Sequence, residues 1–234
     1  MAVATSTFSG FKPEAIQFLV DLAENNRRDW FQARKAEYER LLKEPLEAFI
    51  DALGVRFEER AIPLRADPGR SPFRIYRDVR FSKDKSPYKT HISASFPWIE
   101  GADWDGSHTG EGENPGGYFH FGPGEVFVGG GMWHPGSAKL SAFRAAVVGD
   151  PATVRGLLDD PDFKRTFGAI SGDKLKRVPP GYPADHPEAE LLKQKDVTFG
   201  QRLADSDVLS PALPDLVAEA FQSAVPLMRF LARL

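Results

Sequence analysis

Sixteen consecutive residues, Arg74-Ile75-Tyr76-Arg77-Asp78-Val79-Arg80-Phe81-Ser82-Lys83-Asp84-Lys85-Ser86-Pro87-Tyr88-Lys89, carry six cationic side chains against two carboxylates. That is a local charge of +4 in a chain whose net charge is −3. Arginine presents a planar fork of donors that fits the edge of a phosphate or carboxylate, and lysine adds a movable point charge. The chemistry such a block can do is anion binding, with Arg74, Arg77, Arg80, Lys85 and Tyr88 as the candidate binding residues. Asp78 lies between arginines whose charge holds it ionised, which suits orienting work better than proton donation. Arg77 is the misfit: Phe73, Ile75, Val79 and Phe81 make the odd positions apolar, so Arg77 needs a buried carboxylate or carbonyl partner, or a bulge that turns it outward.

His120, beside Tyr118 in a later hairpin, is the candidate general base and joins Asp78 as the candidate catalytic residues. Tyr76, His91, Tyr118 and Trp133 complete the candidate pocket lining. No His-x-His or His-Glu-x-x-His spacing occurs, so no metal is assigned, and no motif names a cofactor. Gly129-Gly130-Gly131 precedes a helical pattern as phosphate loops do, yet lacks the Gly-Lys-Ser/Thr ending, and reads as a bulge or a close backbone crossing. His134 belongs to a turn before proline, His108 to a loop and His186 to a helix start.

The basic block resembles the motif Arg-x-x-Arg-Asp-x-Arg-Phe-x-x-Asp-Lys-x-x-Tyr of a bacterial family catalogued as domain of unknown function 2461. The fit covers Arg74, Arg77, Asp78, Arg80, Phe81, Asp84, Lys85 and Tyr88. Asn25-Asn26-Arg27-Arg28-Asp29-Trp30-Phe31, the Gly-Gly-Tyr start at Gly116, the glycine run before Trp133, and His186-Pro187 before Leu191 and Lys195 are similar to the same family. The resemblance spans nearly the whole chain and implies a single domain of that type, without a reaction.

Several elements must position these residues. Pro13 and Glu14 suit a first helical turn, with Ile16, Leu19, Val20 and Ala23 on one face. A second helical pattern runs through Tyr38, Leu42, Leu46, Phe49, Leu53 and Phe57, with a kink expected at Pro45. From Phe73 the period falls to two, and a strand from there is expected to return as Thr90–Trp98. A second hairpin pairs Tyr118-Phe119-His120-Phe121 with Val126-Phe127-Val128. A two-residue turn at Pro123-Gly124 puts Phe119, Phe121, Val126 and Val128 on one face and Tyr118, His120 and Phe127 on the other. Ser137 is a candidate cap for the next helix, Pro151, Pro161 and Pro211 mark later helix starts, and Asp173–Val178 reads as another strand. The pattern predicts a single α+β domain over residues 1–234, a central antiparallel sheet of hairpins at about residues 73–98 and 117–132 packed by N-terminal and C-terminal helices.

Composition sets the outer limits. At 41% hydrophobic and 27% charged, the 234 residues are globular in type and too short for two large cores. The absence of cysteine excludes disulfides, thiolate metal sites and a cysteine nucleophile, and fits a cytoplasmic location. Met1–Thr7 lacks a basic region followed by an apolar one, so no secretory signal is expected, and no segment reads as a membrane span. Glu100, Asp103, Asp105, Glu111 and Glu113 make a loop of charge −5 close behind the basic block. The function expected is binding of an anionic small ligand, phosphorylated or nucleotide-like, with hydrolase or transferase activity left open. A nucleic-acid-binding module ranks lower, because the acidic loop repels a polyanion, and a protein-interaction role with an internal Arg/Asp network is the third reading.

Overall fold

The fold is that of a computed structural model, which describes residues 8–80, 82–101 and 114–234. Phe81, His108 and the loop acids Asp103, Asp105, Glu111 and Glu113 lie outside the described residues. Helices α1 (Pro13–Glu24), α2 (Arg28–Ala33), α3 (Lys35–Tyr38) and α4 (Glu44–Glu59) come first. Strands β1 (Ile92–Pro97), β2 (Gly116–Gly122) and β3 (Glu125–Met132) follow. Then come α5 (Ser137–Gly149), α6 (Pro151–Leu158), α7 (Pro161–Phe167), α8 (Ala189–Leu192), β4 (Val197–Leu203), α9 (Asp205–Val208) and α10 (Leu213–Ala232). Among the described residues the sheet has the order β1-β2-β3-β4 with every neighbour antiparallel. The architecture is a single α+β domain, the sheet lying between N-terminal and C-terminal helices in sequence.

The second hairpin forms in the register that hydrophobicity demands: Phe119 opposes Val128, Phe121 opposes Val126, and His120 opposes Phe127. Gly122 and Glu125 close a turn in which Gly124 has φ +66°, a conformation glycine adopts without cost. A slip of one residue would move four buried apolar side chains to the other face, at roughly 1.5–3 kcal/mol each. The apolar face meets the helices through aromatic contacts. Phe119 lies 4.7 Å from Phe49 of α4, and Phe96 lies 5.7 Å from Phe57 and 5.9 Å from Phe221 of α10.

The described residues from Phe73 to Arg80 do not form a strand of the sheet. One isolated bridge joins Pro72 to Ala94 of β1, and a second joins Tyr76 to Tyr88, ahead of β1. Hydrogen bonds from Phe73 N to Ser93 O and from Lys89 N to Ile75 O flank a bulge, because two steps on one side face four on the other. His91 sits in that bulge, which breaks the ladder. The strand expected at 173–178 is also replaced: only Lys174 bridges, to Gln194, and the fourth strand is Val197–Leu203. Buried Val197 and Phe199 alternate there with Thr198 and Gly200 before the strand turns polar.

Two local expectations change for physical reasons. The buried stripe of α1 is Ala15, Phe18, Leu19 and Leu22, rotated from the expected face so that Phe18 packs on Trp30 at 5.6 Å and Tyr38 at 6.3 Å. At Pro45 the chain is irregular as expected: it is π-helical over Glu39–Lys43 and α-helical from Glu44, which places the missing N–H in a first turn. Ser137 makes no capping bond, whereas Asp150 and Asp160 cap α6 and α7 just before Pro151 and Pro161. The glycine run lies inside β3: a Cβ on Gly129 would sit 2.4 Å from Phe199 O and one on Gly131 2.1 Å from Val197 O, so these residues admit β4 and cradle no phosphate.

Candidate functional site

Two segments far apart in sequence meet through one side chain. Asn26, in the short link between α1 and α2, donates from Nδ2 to Tyr88 O at 2.9 Å and accepts from Tyr88 N at 3.1 Å. An amide side chain carries the same donor and acceptor as a peptide group, so it completes the backbone bonding of Tyr88 as a neighbouring strand would. One turn on, Phe31 stacks against Tyr88 with ring centres 4.1 Å apart, and both are buried. Phe31 also contacts Tyr38 at 5.3 Å, whose hydroxyl is pushed up to about 12 by burial and by Glu47, and so stays protonated.

Above this aromatic floor opens a cavity of about 560 Å³. Arg27, Arg28 and Gln32 line it from the α2 side, and Tyr76, Arg77, Val79, Lys85, Pro87 and Tyr88 from the basic block. Among the described residues its lining contains four cations and no carboxylate. Arg77 has a carboxylate partner, but not the buried one expected: its half-buried guanidinium pairs with exposed Asp84. Asp84 in turn accepts from Ser86 N at 2.9 Å and Ser86 Oγ at 2.6 Å, and these bonds with Arg77 hold it down to about 2. Lys85 donates to Val79 O at 2.8 Å. Arg27 stands 3.6 Å from Asp29, and Arg28 has no ion pair among the described residues. Tyr76 shows 46% of its surface to solvent at the rim.

Of the residues singled out from sequence, Arg77, Lys85, Tyr88 and Tyr76 share this cavity. Arg74, Asp78 and Arg80 are exposed and lie outside its lining. Asp78 takes Arg80 Nε at 3.0 Å and Nη2 at 2.6 Å, which draws its carboxyl down to about 2 and keeps it charged. Trp133 is 53% exposed, packs on His134 at 4.3 Å and lies outside the lining too.

His91, Tyr118 and His120 gather on the sheet face opposite the aromatic core. The His120 ring stacks on Phe127 at 4.8 Å and lies 4.1 Å from the His91 ring. Its Nδ1 is 3.2 Å from Tyr118 Oη, and its Nε2 is 3.9 Å from Glu125. Burial, with His120 and Lys89 nearby, pushes His91 down to about 4, and burial with Lys89 pushes His120 down against the opposing pull of Glu125, so both are neutral at neutral pH. Asp78 and His120 therefore belong to different surroundings, one an exposed ion pair and the other a buried stack. Among the described residues, no three His, Cys, Asp or Glu side chains group as a metal site.

Reasoning from sequence passed over Asn26, Arg27, Arg28 and Gln32 as site residues, though the run Asn25–Phe31 holds two amides, two arginines and two aromatics in seven positions. That density of polar and aromatic types between two helices was the available signal.

Fold and site together define an α+β protein whose cationic cavity is assembled from two motifs, one between its first helices and one alongside its sheet edge. The chain belongs to the family described as conserved hypothetical protein (DUF2461), whose model matches residues 14–230. Neither the curated proteins nor the solved structures provide a match to it. No helix among the described residues is long and apolar enough to cross a membrane.

Proposed function

We propose that the protein binds a small anionic ligand, phosphorylated or nucleotide-like, in the cavity between α2 and the basic block. The observation that carries this reading is the convergence of Arg27 and Arg28 with Arg77 and Lys85 around about 560 Å³ of space lined by no acid. Arg77 and Arg27 have Asp84 and Asp29 beside them, but Arg28 and Lys85 have no ion pair among the described residues, and an anion between the crowded cations relieves their remaining repulsion. The cavity lies within the size range of small-ligand sites. The cations also meet in one hollow and not along a track, which favours a compact ligand over a nucleic-acid strand, whose charges repeat along its length. A cytoplasmic setting fits the cysteine-free sequence.

The test is a thermal-shift series with inorganic phosphate, pyrophosphate and nucleotides. The wild type is expected to gain melting temperature with at least one of them. The double substitution Arg28→Ala, Arg77→Ala should abolish that gain, whereas Arg80→Ala should keep it, because Arg80 lies outside the lining. Melting curves unmoved by every anion would remove the proposal.

A further inference from the structure

Resting on the anion-site reading, we infer that the cavity takes a phosphate monoester carried by a planar ring, with the phosphate among the arginines and the ring against Tyr76. Charge is the first argument. Asp84 offsets Arg77 and Asp29 stands beside Arg27, which among the described residues leaves Arg28 and Lys85 as the uncompensated charges of the lining. Two uncompensated positive charges match a monoester, which carries close to two negative charges at neutral pH, better than a singly charged diester. They are too few for a triphosphate.

Shape is the second argument. The cations do not encircle the cavity, because Tyr76, Val79 and Pro87 give it an apolar side, with Tyr88 buried behind. Tyr76 leans on Tyr88 with ring centres 5.4 Å apart, yet 46% of its surface faces solvent. A large aromatic side chain held in place but left half open beside a cationic pocket supplies a stacking surface at little entropic cost. Inorganic phosphate would use the arginines and leave that surface wet.

Calorimetric titration with four probes separates these parts: adenosine monophosphate, ribose 5-phosphate, cyclic adenosine monophosphate and adenosine. The monophosphate should bind about tenfold more tightly than ribose 5-phosphate, the worth of one stacked base, and should also exceed the cyclic diester. Adenosine alone should give no measurable heat. Tyr76→Leu keeps an apolar contact on Tyr88, and it should close the gap between the monophosphate and ribose 5-phosphate without weakening the latter. Equal affinity for those two in the wild type, or a gap that survives Tyr76→Leu, overturns the ring inference and leaves the anion site standing. A cyclic diester that binds as well as the monoester overturns the charge match. Failure of all three phosphates to bind removes the anion site and this inference together.

Discussion

At the scale of single residues, the cations of this protein divide by what already occupies them. Arg80 is engaged by Asp78 and Arg77 by Asp84, while Arg28 faces the cavity without an ion pair among the described residues. Arg28 is exposed and part of no core contact, so Arg28→Ala should leave the urea midpoint within about 0.5 kcal/mol of wild type while lowering phosphate affinity at least several-fold. The histidines make a separate prediction with a definite sign. His91 and His120 are held below their ordinary value of 6.5, so the unfolded chain takes up their protons first. The contribution of His91 is complete above about pH 6.5 and is lost as pH falls toward 4, on the order of 1–2 kcal/mol after allowance for partial exposure, and His120 acts in the same direction. Asp78 and Asp84, drawn down to about 2, act in a lower window: they support the fold above their ordinary 3.8 and lose that support only below it. Denaturation midpoints measured from pH 7.5 to 4.5 should therefore decline, and His91→Phe should flatten the decline. A midpoint independent of pH over that range would contradict the assignment of neutral rings, His120 buried and His91 half-buried.

At the scale of elements, legibility followed periodicity. The β2–β3 hairpin could be read to the residue because Phe119, Phe121, Val126 and Val128 leave only one register that buries all four. The segment after Phe73 alternates just as well, yet its partner chain carries the bulge at His91, and nothing in the alternation of one chain reports extra residues in the other. The strand Val197–Leu203 escaped because only Val197 and Phe199 are buried, half an alternating pattern, and its place is secured by glycines of β3. Gly131 has φ +106° and no room beside Val197 O, so Gly131→Ala should cost several kcal/mol and show as lost protection of β4 amides in hydrogen exchange. Gly124→Ala, at φ +66° with open space around it, should cost only about 1 kcal/mol. The candidate site was half legible for a related reason. The basic block announces itself by charge, but the half built by Arg27 and Arg28 depends on Asn26 reaching Tyr88, 62 positions away, and no local pattern encodes that contact.

At the scale of the whole molecule, one aromatic core joins the two layers. Phe221 of α10 lies 5.8 Å from Phe57 of α4 and 5.9 Å from Phe96 of β1, and its ring fills the space where Gly117 has no side chain. Phe221→Ala should therefore cost about 3–5 kcal/mol, a large share of the stability of a domain this size. Because helices and sheet share that core, urea unfolding followed by tyrosine and tryptophan signals should remain a single transition. Two separated transitions would contradict a single domain.

Asn26 does more than join two motifs: it works as a spacer of fixed length. Its amide sits one position before Arg27, and its bonds hold Tyr88, which itself lines the cavity. The width of the gap between Arg27 and Arg28 on one side and Arg77 and Lys85 on the other is thereby calibrated by a side chain that no ligand needs to touch. Asn26→Asp would set a carboxylate against the Tyr88 carbonyl in place of a donor, widening the opening while every cation stays in the chain. A change there would alter which ligands fit, and by how much, through distance alone.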